Sequence, residues 1–154
     1  MNKFLIKRLP DAMDLPLPQR MSAAAAGLDL YANIKYNVII KKGGRALVPT
    51  GISVALPSGY EAQIRPRSGL AHKHGITVLN SPGTVDADYR GELSVLLINL
   101  DDWDYVVKRG DRIAQLVISR VEKVDFEEVD ELPESERGSG GYGSSDELAK
   151  RTEL

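Results

Sequence analysis

Apolar and polar positions along this chain switch at short intervals, and the period is mostly two. Lys3–Leu9 alternates loosely and Leu28-Asp29-Leu30-Tyr31-Ala32 alternates cleanly. Further apolar or β-branched runs lie at Val38–Ile40, Ala46–Gly51, Ile52–Leu56, Tyr60–Ile64, Ile76–Leu79, Leu93–Leu100, Trp103–Val107 and Arg112–Ile118. Turn formers separate them, among them Lys41-Lys42-Gly43-Gly44, Pro57-Ser58-Gly59, Asn80-Ser81-Pro82-Gly83 and Lys108-Arg109-Gly110-Asp111. A period of two sends successive side chains to opposite faces of a strand. About ten such candidates, without a long amphipathic helix or an internal repeat, predict an all-β sandwich or jelly roll.

Departures from the alternation are informative. Ala23–Ala26 has helix propensity, but Gly27 interrupts it at once. Leu15-Pro16-Leu17-Pro18 reads as a pinned connection rather than a polyproline ligand. Leu70–His74 fits one helical turn, and Trp103 is expected in the core or at an interface. Val78–Leu93 predicts a strand–turn–strand unit with carboxylates at Asp86 and Asp88. Val121–Pro133 is acidic and reads as an extended connector, and Arg137–Ser145 is rich in Gly and Ser. The expected division is a β domain over residues 1–133 and a flexible glycine-rich C-terminal arm over 134–154, with a frayed helical turn at Asp146–Arg151.

Composition narrows the function classes. A length of 154 residues suits one domain with a real core, and 42% hydrophobic with 27% charged residues is ordinary for a globular protein. A net charge of -2 argues against a general binder of nucleic acids or membranes. The absence of Cys excludes disulfides and thiolate metal sites, and fits a reducing compartment. No apolar run is long enough to span a bilayer, and the basic start lacks the h-region of a signal peptide, so a cytoplasmic location is expected.

Candidate chemistry is modest when each motif is taken alone. Asp29, between two apolar neighbours, reads as a solvated strand residue, and Gln115 as a polar strand residue facing water. Arg65-Pro66-Arg67-Ser68-Gly69 offers guanidiniums, a hydroxyl and free backbone N–H groups, which a phosphate requires; the alternative is a solvated basic loop. His72 and His74 are spaced i, i+2 and make a poor metal pair on a helix. In the tail, Arg137, the glycines and Tyr142 could form an arm that orders on a phosphate-bearing ligand.

Taken together, five blocks resemble the homotrimeric dUTP diphosphatase (dUTPase) family: Ala26–Ala32, Arg65–Ala71, Asn80–Gly91, Arg109–Leu116 and Arg137–Ser145. They occur in the family's order and span nearly the whole chain. The resemblance implies a jelly-roll or distorted β-barrel subunit, three active sites at the interfaces of a homotrimer, and a C-terminal arm that closes over a site. It implies hydrolysis of dUTP to dUMP and pyrophosphate by Mg²⁺-assisted attack of water on the α-phosphorus, which keeps uracil out of DNA and supplies dUMP for thymidylate synthesis. No direct nucleic-acid or membrane contact is implied.

Residue roles follow from the same resemblance. Asp86 matches the catalytic Asp that orients and polarises the water. Asp29 matches the acidic residue that holds the metal, mainly through coordinated waters. Arg67, Ser68, Gly69 and Gln115 match phosphate contacts, with Arg137, Ser139 and Gly140 as outer-phosphate donors. Asn80 falls where a base-contacting residue is expected, and Gly83, Thr84 and Val85 lie in the hairpin whose backbone faces the uracil edge. Tyr89 matches the aromatic under the deoxyribose that leaves no room for a 2′-hydroxyl, and Tyr142 the aromatic that covers the uracil, where Phe is more usual. Asp111 and Arg112 are expected in a structural or interface salt bridge, and Asp88 as a structural or solvated residue. A dCTP deaminase shares the fold but carries a catalytic Glu where this chain has Leu96. A regulatory nucleotide-binding relative without turnover and a structural jelly roll are the other readings.

Overall fold

The computed structural model describes residues 3–135 and 137–141. The chain divides into two units, at Lys123/Val124. All the regular elements belong to the first: β1 (Leu5–Arg8), a 3-10 turn at Pro10–Ala12, β2 (Leu28–Tyr31), β3 (Val38–Ile40), β4 (Arg45–Ala55), β5 (Tyr60–Arg65), α1 (Ser68–His74), β6 (Ile76–Val78), β7 (Gly83–Val85), β8 (Glu92–Asn99), β9 (Tyr105–Val107) and β10 (Arg112–Arg120). In the second unit the described residues contain neither helix nor strand.

The strands pair antiparallel in a four-stranded sheet β1-β4-β8-β6, a four-stranded sheet β2-β10-β5-β7 and a ribbon β3-β9. Alternation decides what each sheet buries. Leu93, Val95, Leu97 and Asn99 of β8 turn inward, and Ser94, Leu96 and Ile98 are less buried. Leu93, Val95 and Leu97 join Leu30, Ala62, Ile64, Val85, Ala114 and Leu116 of the second sheet in one apolar cluster. Each fully buried Val, Leu or Ile contributes about 1.5–3 kcal/mol. This is the all-β jelly-roll fold that the pattern and the resemblance predicted. Among the described residues no helix is long and apolar enough to cross a membrane.

Three expectations need correction. The runs 46–51 and 52–56 are one strand, β4. Pro49 and Gly51 look like breakers, but the chain bulges there instead: the β8 register runs from Pro49↔Ser94 to Ser53↔Glu92. Gly51 takes φ 70, a left-handed conformation that glycine tolerates. Its N–H leaves the ladder and donates to Glu92 Oε1 at 2.8 Å, while Thr50 Oγ1 donates to the Leu93 carbonyl at 2.6 Å.

The strand expected over Trp103–Val107 begins only at Tyr105, and of the two places expected for Trp103, core or interface, the core is excluded, since the residue is 79% exposed. Its carbonyl oxygen accepts a bond from buried Asn99, which also donates to the Ile40 carbonyl. The amide fixes that loop without any need to bury the indole. Finally, Val78–Leu93 is not a simple hairpin. β6 and β8 pair with each other, but β7, between them in sequence, crosses to the other sheet and pairs with β5.

Candidate active site

That crossing builds a recess. A cavity of about 400 Å³ is lined by Asn80, Gly83, Thr84, Val85, Asp86 and Tyr89 from the crossing segment, with Ile64 of β5 and Leu93, Ser94 and Leu96 of β8 among its other walls. The Ser81–Pro82 peptide before β7 is cis. Gly83 lies under the Asn80 amide, where a Cβ would stand 3.2 Å from Nδ2. Six residues singled out in the sequence are therefore brought together.

Asp86 follows β7 immediately and is exposed at this recess. Among the described residues its carboxylate has no hydrogen-bond or ion-pair partner. Its carbonyl accepts the Tyr89 N–H at 3.2 Å, closing a turn. Arg90 Nη1 donates to the carbonyls of Ala87 and Tyr89 at 2.6 and 2.8 Å, and the Tyr89 hydroxyl donates to the Glu92 carbonyl at 3.0 Å. The turn is thus tied down while the Asp86 carboxylate is left open to water. A free carboxylate keeps its lone pairs for a water proton, as a general base must.

A second, smaller recess of about 270 Å³ shares no lining residue with the first. It is bounded by Gly27, Asp29, Arg67, Ser68, Gly69, Arg112 and Gln115, together with Met21 and Ala25. Asp29, Gln115 and Arg65 stand in register across β2, β10 and β5, and so share one face of the sheet. Ile64, the residue before Arg65, points the other way and lines the first cavity.

Asp29 is not solvated. Its side chain is 10% exposed, and Arg67 Nε and Arg112 Nη1 approach its two oxygens at 3.2 and 3.0 Å. Arg67 Nη1 also donates to the Arg112 carbonyl at 3.1 Å. Two guanidiniums against one carboxylate leave the recess with an excess positive charge, which suits an anion. Gln115 is half-buried, and its amide donates to the Pro66 carbonyl at 2.9 Å. Gly27 makes this possible, because a Cβ there would stand 2.9 Å from Gln115 Cδ and closer still to Oε1. Ser68 and Gly69 open α1, whose first turn leaves N–H groups without intrahelical partners.

The Asp111–Arg112 expectation divides. Arg112 pairs with Asp29, whereas Asp111 Oδ2 accepts the Lys108 backbone N–H at 2.7 Å and closes the β9–β10 turn. Asp88 is exposed. Arg137 donates from Nε to the Gly140 carbonyl at 2.8 Å and accepts the Gly140 N–H at its own carbonyl, a small loop that includes Ser139. Tyr142 and Asp146–Arg151 lie outside the described residues. Sequence reasoning passed over Gly91 and Glu92, which touch Tyr89, and Gly27, which touches Gln115. A glycine beside a singled-out side chain was the available signal.

The comparisons with known proteins follow the same lines. The dUTPase family model matches residues 13–146. A deoxyuridine 5'-triphosphate nucleotidohydrolase of Caldanaerobacter subterraneus subsp. tengcongensis is 58% identical over 138 residues, covering 90% of this chain and 93% of that protein. One from Anaplasma marginale is 52% identical, covering 94% and 99%. Among solved structures, a dUTPase variant of Staphylococcus bacteriophage 80alpha with dUpNHpp superposes with a TM-score of 0.82 at 26% identity, covering 94% of this chain and 99% of that one. The chain belongs to the dUTPase family.

Proposed function

We propose that this protein hydrolyses dUTP to dUMP and pyrophosphate. The observation that carries the reading is the unpaired Asp86 carboxylate at the mouth of a nucleoside-sized cavity, in a chain of this family. In this reading the uracil sits against Asn80 and the backbone of Gly83, Thr84 and Val85, with the sugar on Tyr89. Asp86 orients a water toward the α-phosphorus and takes its proton as the bond forms. The wall at Leu96 is apolar, so the cavity lacks a carboxylate there for the deamination of dCTP.

The phosphates fit the second recess, where Arg67, Ser68, Gly69 and Gln115 supply donors, with Arg137, Ser139 and Gly140 of the arm as further donors and Tyr142 as cover for the base. The two recesses share no residue, and one sheet turns Ile64 to the first and the Asp29–Gln115 row to the other face. This separation suits the homotrimer with interfacial sites that the family resemblance implies, in which one copy's cavity meets another copy's cationic recess.

Among the described residues no three His, Cys, Asp or Glu side chains gather as a metal site, and both oxygens of Asp29 face guanidiniums. This donor set does not suit an ion gripped by protein ligands. It suits Mg²⁺ that arrives on the triphosphate and meets Asp29 through a coordinated water. Once bound, Mg²⁺ offsets phosphate charge that would repel the nucleophile.

A nucleotide panel with pyrophosphate release measured with and without Mg²⁺ tests the reading. Release from dUTP, and not from dCTP, dTTP or UTP at comparable rate, is expected. Ammonia from dCTP, or no turnover of dUTP, would overturn it.

A further inference from the structure

Tyr89 is 45% exposed, so burial does not fix where its ring lies. What fixes it is the chain that follows. Gly91 leaves the ring its place: a Cβ on Gly91 would stand 2.6 Å from Tyr89 Cζ, 3.0 Å from Cε2 and closer still to the hydroxyl oxygen. No carbon pair tolerates 2.6 Å without one partner moving. The hydroxyl is held from the other side by the Glu92 carbonyl at 3.0 Å. Glu92 is anchored in turn, because its Oε1 accepts the Gly51 N–H in the β4 bulge at 2.8 Å. Arg90 clamps the backbone on either side through the carbonyls of Ala87 and Tyr89.

We propose that Gly91 is a specificity-determining position of the sugar pocket: its missing side chain seats the Tyr89 ring, and the Glu92 carbonyl latches it, so that the ring excludes a 2′-hydroxyl. The inference rests on the reading of Tyr89 as the sugar-facing group. Gly91 acts through Tyr89 and is a positioning residue. Its backbone is outside the left-handed region, so alanine is not strained there by its dihedral angles. The ring in conflict is half-exposed and free to swing toward solvent about two side-chain torsions. The substitution therefore moves the ring and spares the fold.

The test is the ratio of kcat/KM for dUTP over UTP, with a thermal melt, for the parent, Gly91→Ala, Tyr89→Ala and the double variant. Gly91→Ala is expected to lower the ratio by about tenfold or more, towards the roughly 10²-fold by which a pocket rejects one added hydroxyl. The double variant should match Tyr89→Ala, since no ring remains to displace. Any melting penalty of Gly91→Ala should vanish in the Tyr89→Ala background, which keeps the test valid even if the single variant folds poorly. A ratio lost in Tyr89→Ala but kept in Gly91→Ala would overturn the role of Gly91 alone. A ratio kept in both would overturn the reading of Tyr89 as well. Additive losses in the double variant would mean that Gly91 acts by another route, and would also overturn the proposal.

Discussion

The two recesses hold one strand carboxylate and one turn carboxylate, and the molecule treats them in opposite ways. Asp86 is exposed, unpaired and fixed only through its backbone. Asp29 is buried and bracketed by Arg67 and Arg112. A carboxylate kept free has its lone pairs available for chemistry and contributes little to stability. A carboxylate bracketed by two cations spends its lone pairs holding them in place. The difference separates a group that reacts from a group that organises those that bind.

The sharpest way to break this contrast is at Asp86. Asp86→Asn should lower kcat by about 10²- to 10⁴-fold, the range of a positioned general base. Binding of a non-hydrolysable dUTP analogue, followed by calorimetry, should persist, and the melting temperature should stay with the parent. A kcat within a few-fold of the parent would remove Asp86 from the reaction.

Asp29→Ala should act on both fronts. It removes one charge-assisted hydrogen bond, from Arg112, and one ion pair, with Arg67, and leaves two guanidiniums side by side, at a cost of about 2 kcal/mol in stability, read as a lower melting temperature, with a raised KM for dUTP. A variant that melts like the parent and loses only its response to Mg²⁺ would show that Asp29 serves the metal and not the arginines.

A third carboxylate tests pairing without burial. Arg109 donates to Asp14 from Nε and Nη2 at 3.1 and 2.6 Å, and these hydrogen bonds hold the exposed Asp14 carboxyl below the ordinary range. A depressed folded value means that the contribution is complete above the unfolded value of about 4 and is lost as pH falls through the folded one. Asp14→Asn should therefore lower stability slightly at neutral pH, and the gap to the parent should close in acid. A gap that is constant with pH would mean the charge is irrelevant.

Much of the fold is legible from local pattern because β8 buries alternate residues from Leu93 to Asn99, and alternation is visible in a window of eight. The cavity is legible for the related reason that Asn80, Gly83, Thr84, Val85, Asp86 and Tyr89 lie within ten residues of one another. Asp29 was not. Its neighbours in sequence make it a solvated strand residue, and only arginines from two other blocks of the chain explain its burial. The continuity of β4 was hidden in the same way. Pro49 and Gly51 signal a break locally, and the groups that hold the strand together, Glu92 and Leu93, lie on β8. The late start of β9 was hidden too, since the loop at Trp103 is secured by the side-chain amide of Asn99, which lies on β8.

The β4 bulge has one further consequence. Between Pro49↔Ser94 and Ser53↔Glu92, β4 advances by four residues while β8 advances by two. The surplus is an even number, so the in-and-out parity of the strand survives it: Val48, Thr50, Ile52, Val54 and Leu56 are all buried, on both sides of the irregularity. This strand can therefore be lengthened or shortened in pairs of residues without turning its core face outward. A change of one residue, unless another bulge absorbed it, would invert every side chain beyond it.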